Sequence, residues 1–388
     1  MKTVEEIKAL REVVIAGIGI TKWGVYPDLE WYDFGSEAVL LALKDAGFEF
    51  SDIQIAFCGS CYQGISSGHK VLGEIGKTAL PIINIENACS SSSSALRLAW
   101  QMVATELYDV VLVVGFEKQR QKGFIPSTAF RPWERALGFN VQPAIYALEA
   151  VRYMEEFGAT VEDFSLVTVK NRKNATMNPN ARFQQAVTLE DVMNSRMIAA
   201  PLRLLHCCPL ADGAAAAVVC SRDKVKYKRK AVTIAASTLT SGAYGEDNIS
   251  RMSVKFPSSP AHHIELAAQQ AYELAGIGPE DIDVAQVYDA MSPGELWDIE
   301  KLGFCKVGEA AQLIREGYFD IDGKLPTNTD GGLMGRGHPM GATGLAQIYE
   351  IVLQLRGEAG PRQVAKAKVG LAHSLGAGPN SVVTILKK

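Results

Sequence analysis

Apolar residues in this chain fall into short unbroken runs separated by stretches of helical spacing. Val13 to Ile20 (VVIAGIGI), Val110 to Gly115 and the segment VTIAAST from Val232 read as buried strands. Leu80 to Glu86 reads as another, and GAAAAVVC after Asp212 as one more. Between them, Ala95, Leu98, Ala99, Met102 and Val103 recur at helical spacing, so a helix is expected to begin in the serine run that follows Cys89. Small side chains there would let it run buried between layers.

The same order of elements occurs twice. Residues 42–59 (ALKDAGFEFSDIQIAFCG) and 271–288 (AYELAGIGPEDIDVAQVY) align at a constant offset of 229, matching Ala42, Ala46, Gly47, Asp52, Ile53 and Ala56. Each reads as helix, glycine stop, acidic turn and strand, and each lies downstream of an apolar strand. A duplicated α/β fold follows from this. Residues 118–200 break the rhythm with basic and polar turns (KQRQKGF, KNRKNATMNPN) around one amphipathic helix, Ala144 to Phe157, and suggest an inserted loop domain.

Composition narrows the class. The chain has 388 residues, 47% hydrophobic and 21% charged, with 39 Lys and Arg against 43 Asp and Glu, giving a net charge of −4 without long single-sign runs. That balance excludes a nucleic-acid footprint and disorder. No apolar stretch reaches the roughly 18 residues that a membrane helix needs. The N-terminal residues carry alternating charges without a signal-type apolar core, so a cytoplasmic location is expected. Seven cysteines, Cys58, Cys61, Cys89, Cys207, Cys208, Cys220 and Cys305, make an odd number without framework spacing, as expected of reduced thiols. Cys58-x-x-Cys61 has no second ligand pair, and reads as core and loop rather than as a metal site.

Three features carry candidate chemistry. Cys89 stands where a strand gives way to a helix, a place where unpaired amides and the helix dipole favour a thiolate and can hold an oxyanion. A packed structural cysteine is the alternative. In the second half, Gly335 to Gly344 (GRGHPMGATG) places four glycines around His338 and leads into a helix, where the first half places Cys89. It lacks the Gly-Lys-Ser/Thr ending of a P-loop and the dinucleotide fingerprint after a strand. Leu371 to Gly378 (LAHSLGAG) ends a strand in a glycine-rich turn and brings a second histidine, His373.

Taken together, NACSSSSSA, DGAAAA, GRGHPMGATG and HSLGAG occur in an order and at spacings that resemble the thiolase superfamily along nearly the whole chain. The branch most similar is the SCP2-like, lipid-transfer-protein-like one, also called acetyl-CoA acetyltransferase-like. The segments QPAIYALEAVRYMEEFGAT, APLRLLHCCPLADGAAAA and LPTNTDGGLMGRGHPMGATG carry that similarity. The resemblance implies two βαβαβαββ halves in a five-layered α-β-α-β-α fold. Residues 1–117 plus 201–228 would form the N-terminal half, 118–200 the CoA-binding loop domain and 229–388 the C-terminal half. It implies that Cys89 takes the acyl group, that His338 activates it, and that the amides of Cys89, Gly376 and Ala377 form an oxyanion hole. Coenzyme A is the implied co-substrate, with no tightly bound cofactor and no metal. Its phosphates could meet Lys118, Arg120, Lys122, Arg131, Arg135, Lys170, Arg172 and Lys173. A homodimer is implied, together with a small zinc-binding OB-fold partner of the DUF35 type.

The chain departs from that pattern at the acid/base. A gap-free match puts Leu375 where standard thiolases carry their second cysteine, and Tyr288-Asp289-Ala290-Met291 stands where SCP2-type members carry His-Asp-Cys-Phe. The proton would then come from His338, His373 or Tyr288. The implied activity is cleavage of a 3-oxoacyl-CoA by free CoA, on a branched, aromatic or dicarboxylic chain such as benzoylsuccinyl-CoA. A retro-aldolase using Tyr288 on a 3-hydroxyacyl-CoA, and a non-catalytic acyl-CoA- or lipid-binding subunit, are the alternatives.

Overall fold

In the computed structural model, which describes residues 6, 10–76, 79–119, 132–138, 141–242, 262–377 and 380–388, the sequence repeat becomes a repeat of structure. The first half opens with β1 (Val13–Ile20), α1 (Trp31–Ala46), β2 (Ile55–Gly59), α2 (Ser67–Gly73), β3 (Ile82–Ile85), α3 (Ser91–Ala104) and β4 (Val110–Glu117). An excursion follows, with α4 (Pro132–Ala136), α5 (Gln142–Phe157), α6 (Val161–Ala175), α7 (Leu189–Asn194) and a small hairpin of β5 (Met197–Ala199) and β6 (Leu202–Arg203). The chain then returns through β7 (Gly213–Ser221). The second half runs β8 (Val232–Ser241), α8 (His263–Ala275), β9 (Val284–Gln286), α9 (Ser292–Lys301), α10 (Ala310–Arg315), α11 (Gly332–Arg336), α12 (Thr343–Arg356), β10 (Val369–Gly376) and β11 (Asn380–Lys387).

The offset of 229 holds to the residue. Helix α1 ends at Ala46 and α8 at Ala275, each stopped by a left-handed glycine, Gly47 at φ 75° and Gly276 at φ 65°. Only glycine takes that conformation without penalty, so the repeated glycine is a repeated helix stop. Strands β2 and β9 then begin at Ile55 and Val284.

Nine strands form one sheet in the order β3-β2-β4-β7-β1-β8-β11-β10-β9. β2 is parallel to β3 and β4, while β4–β7 and β7–β1 are antiparallel. The second half repeats this arrangement: β9 is parallel to β10 and bridges in parallel to Thr327, while β10–β11 and β11–β8 are antiparallel. The halves meet where β1 pairs with β8. Helices α1 and α2 cover the outer face of the first half, and α8 covers β8 and β11 of the second. Helices α3 and α12 lie between, each touching strands of both halves, which gives five layers. Among the described residues, no helix is long and apolar enough to cross a membrane.

Two expectations change. The strand at Leu80 to Glu86 is not buried: β3 is a sheet edge, with Ile83 and Asn84 exposed, because it pairs on one side only. The polar stretch from Lys170 is not a turn. It is the last part of α6, with Lys170, Asn171, Arg172 and Asn174 all buried. Polar side chains tolerate burial where each finds a partner. Lys170 lies 2.9 Å from Glu295, Asn171 donates to Asp289 at 2.8 Å and Glu295 at 2.6 Å, and Asn174 donates to the Asn328 carbonyl at 3.1 Å.

Candidate active site

The serine run is the head of α3, and its small side chains have a specific use. Ser92 Oγ accepts from the Leu345 amide at 3.1 Å, and a β-carbon on Gly344 would collide with Ser93. Residues 92–93 and 344–345 are the first turns of α3 and α12, so the two central helices touch head to head. Larger residues in either motif would hold them apart. Cys89 stands just ahead of α3 and His338 just ahead of α12, so this contact brings together two residues 249 positions apart in the chain.

Cys89 is 7% exposed and follows Ala88, which has a left-handed φ of 50°. A non-glycine residue in that region marks a sharp, held turn. Several groups hold it. Ser91 Oγ donates to the Ala88 carbonyl at 2.6 Å, and the Cys61 thiol points at the same carbonyl from 3.0 Å. Ser374 Oγ lies 3.4 Å from the Cys89 carbonyl, and a β-carbon on Gly376 would approach the Asn87 carbonyl to 2.5 Å. The end of β10 therefore lies against the Cys89 turn. Ala377, half-buried, begins the turn that follows β10.

His338 is buried, and burial pushes its pKa down to about 3, with a smaller contribution from Arg336. Its imidazole is neutral at physiological pH. Nδ1 lies 2.7 Å from Thr343 Oγ1, whose own hydroxyl faces the Pro339 carbonyl at 2.9 Å. The hydroxyl proton serves that carbonyl, so Oγ1 accepts from Nδ1–H and the proton sits on Nδ1. Nε2 is left as the free base. It faces the Tyr288 hydroxyl at 3.3 Å, and the two rings meet edge to face at 5.7 Å.

Tyr288 and Cys89 lie in the same buried cluster, together with Ala290, Met291 and Leu375. Next to Tyr288, the Asp289 carboxylate accepts from the amides of Leu333 at 2.7 Å and Met334 at 3.1 Å, fixing the start of α11. Burial raises the pKa of Asp289 to about 7, with the nearby Glu295 charge adding to it. His373 is also fully buried, but its ring faces elsewhere. Its Nε2 pairs with Ser381 Oγ at 3.2 Å, and its Nδ1 lies 3.7 Å from Asp298.

The candidate CoA cations separate by environment. Arg135 and Lys173 are exposed. Arg172 is 8% exposed and stacks on Phe183, 3.8 Å from the ring centre. Lys118 donates to the carbonyls of Pro27 and Leu29 and pairs with Glu30 at 3.4 Å. Lys170 is bound to Glu295 and the Thr327 carbonyl. Breaking a buried pair such as Lys170–Glu295 costs about 3–5 kcal/mol, which holds Lys170 away from a phosphate. Arg120, Lys122 and Arg131 lie outside the described residues.

Sequence reasoning missed Cys61, Thr343 as a tautomer-setting partner, and Asp289. Thr343 lay inside a quoted motif, whereas nothing in the spacing of Cys61 announces its approach to Ala88.

A turn-held cysteine and a neutral imidazole, one from each repeated half, are the kinds of group that covalent acyl transfer uses. Residues 13–223 match the family described as Thiolase, N-terminal domain, and residues 245–388 match Thiolase C-terminal domain-like. The chain belongs to the thiolase family and is an acyltransferase enzyme. It is 37% identical over 380 residues to the acetyl-CoA acetyltransferase of Methanothermobacter thermautotrophicus, covering 95% of this chain and 97% of that protein. It is 38% identical over 380 residues to benzoylsuccinyl-CoA thiolase subunit BbsB of Thauera aromatica, covering 96% of each. Among solved structures, the Ltp2-ChsH2(DUF35) aldolase superposes with a TM-score of 0.86 at 32% identity, covering 97% of both chains.

Proposed function

We propose that this chain is a 3-oxoacyl-CoA thiolase that works through an acyl group on Cys89. The observation that carries this is the unprotonated Nε2 of His338, fixed by Thr343, on a helix head packed against that of Cys89. The Cys89 proton passes to His338 Nε2, and the thiolate adds to the 3-oxo carbon. Breaking the C2–C3 bond sends its electron pair into the thioester enolate. The Tyr288 hydroxyl protonates C2 and recovers its proton from the His338 imidazolium across their 3.3 Å contact. Free CoA then adds to the acyl-enzyme, gives its proton to the same pair, and releases the Cys89 thiolate. The amides of Cys89, Gly376 and Ala377 serve as oxyanion donors. Between His373 and Tyr288, contact with His338 favours Tyr288 as the acid.

A tyrosine in the leaving-group region, together with the BbsB relative, supports an aromatic, branched or dicarboxylic acyl chain, benzoylsuccinyl-CoA among the candidates. We assign CoA to the 118–200 insertion, between a first half of 1–117 plus 201–228 and a second half of 229–388. Arg135, Lys173 and Arg172 are its described cations, and Arg120, Lys122 and Arg131 complete the set. The exposed β3 edge supports a homodimer, and the DUF35 complex of the aldolase supports a small OB-fold partner.

The contact of Tyr288 with His338 also favours a second reading, retro-aldol cleavage of a 3-hydroxyacyl-CoA. One experiment separates the two. Incubation with 3-oxoacyl-CoAs is expected to leave an acyl group on Cys89, seen by mass spectrometry and discharged by CoA. Cleavage of a 3-hydroxyacyl-CoA by the Cys89→Ala variant would establish the aldolase instead.

A further inference from the structure

The carboxylate that ends β4 reaches from the first half of the molecule into the second. Glu117 is fully buried, and its four described donors are all neutral N–H groups. Oε2 accepts from the Cys61 amide at 2.8 Å and from the Gly341 amide at 3.0 Å. Oε1 accepts from the Tyr62 amide at 3.0 Å and from the Gln63 side chain. Burying a carboxylate is costly, and packing alone could be met by an apolar residue of the same size.

What Glu117 joins explains its presence. Cys61 belongs to the loop after β2, and its thiol contacts the Ala88 carbonyl one residue before the nucleophile. Gly341 belongs to the second half, three residues after His338, in a turn so close that a β-carbon on Gly341 would lie 2.6 Å from Ser60 Cα. A single oxygen, Oε2, therefore ties the loop that holds the Cys89 turn to the turn that carries the imidazole. We propose that Glu117 is a positioning residue that sets the register between Cys89 and His338 across the two halves of the molecule. The role rests on Cys89 and His338 acting as nucleophile and base.

Glu117→Gln keeps the shape and removes one acceptor oxygen. Whichever way the amide turns, it gives up either Cys61 and Gly341 or Tyr62 and Gln63. Alkylation of Cys89 by iodoacetamide at pH 7, followed on the Cys89 peptide by mass spectrometry, is expected to slow about tenfold, towards the rate of His338→Ala. On a 3-oxoacyl-CoA that the unsubstituted enzyme cleaves, kcat is expected to fall about 10- to 100-fold, with KM changed less than about threefold. Unchanged alkylation and kcat, at a temperature where circular dichroism shows the variant folded, would overturn the proposal. Should Glu117→Gln fail to fold, Gln63→Leu removes one of the four donors and leaves the backbone ones. A lower kcat at native KM supports the clasp, and an unchanged kcat rejects it. The alkylation rates need no substrate. If the enzyme cleaves no 3-oxoacyl-CoA but the rates still rank unsubstituted, Glu117→Gln, His338→Ala, the thiolase reading fails and the positioning role stands.

Discussion

Two of the buried histidines of the second half, His338 and His373, have environments that differ in one respect. Burial pushes both His338 and His373 down to about 3, so both are neutral imidazoles at working pH. Both also lie at the edge of a glycine-rich turn. Their partners set them apart. His338 offers a free Nε2 to Tyr288 because Thr343 takes the Nδ1 proton, whereas His373 spends its ring on Ser381 beside Asp298, on β11 and α9. A depressed pKa is therefore no mark of catalysis by itself. What distinguishes the two is where the unprotonated nitrogen points.

The sharpest way to break that comparison is to remove each ring in turn. His338→Ala should lower kcat/KM for a 3-oxoacyl-CoA by about 10²–10⁴-fold, the range expected for loss of a general base, with no acyl-Cys89 accumulating in a rapid-quench experiment. Next in size is Tyr288→Phe, which keeps the ring and deletes the hydroxyl beside Nε2. If Tyr288 is the acid, kcat should fall by about 10–100-fold while Cys89 still acylates in the reverse, condensing direction from a short acyl-CoA. Native turnover in Tyr288→Phe would return the acid role to another group.

Much of this was legible in the chain because it depends on local pattern. The offset of 229 located two helix stops and two strand starts to the residue, since a left-handed glycine and a 3₁₀ turn are written locally. Cys89 and His338 announced themselves by small residues, whose purpose, the head-to-head packing of α3 and α12, is a property of two segments at once. What stayed hidden is long-range and polar. No spacing indicates that Lys170 and Asn171 would be buried against Glu295 and Asp289, or that Glu117 would reach from β4 to Gly341. Such partners come together only when the halves pack. The exposure of β3 was missed for the opposite reason: its apolar composition is that of a core strand, and only sheet order makes it an edge.

His373→Gln tests the other side of the comparison. The side chain has no contact with His338 or Tyr288 among those described, so kcat/KM should stay within about threefold of native. Stability should suffer instead. Ser381 Oγ and Asp298 lose a buried partner, at a cost of about 1–3 kcal/mol, read as a lower midpoint in chemical denaturation. A large loss of kcat at native stability would make His373 the missing acid and reverse the assignment made for Tyr288.

The smallest effect is one in which the two histidines should behave alike. Each has a folded-state pKa of about 3, against an ordinary value of 6.5. Between those limits the unfolded chain binds a proton that the folded one refuses, so stability falls as the pH drops below 6.5. Each histidine contributes at most about 1.4 kcal/mol per pH unit to that slope. Buried carboxylates such as Asp289, with a pKa raised to about 7, act in the opposite direction and cancel when a variant is compared with the unsubstituted enzyme. His373→Gln and His338→Gln should therefore flatten the stability curve between pH 6.5 and pH 4 by similar amounts, about 1 kcal/mol per pH unit, in denaturant titrations at stepped pH. Equal flattening with unequal activity would show that burial governs the proton linkage of these side chains while their neighbours govern the chemistry. Flattening by only one variant would mean that the other imidazole already carries a proton in the fold, and the tautomer deduced from Thr343 would have to be abandoned if that one were His338.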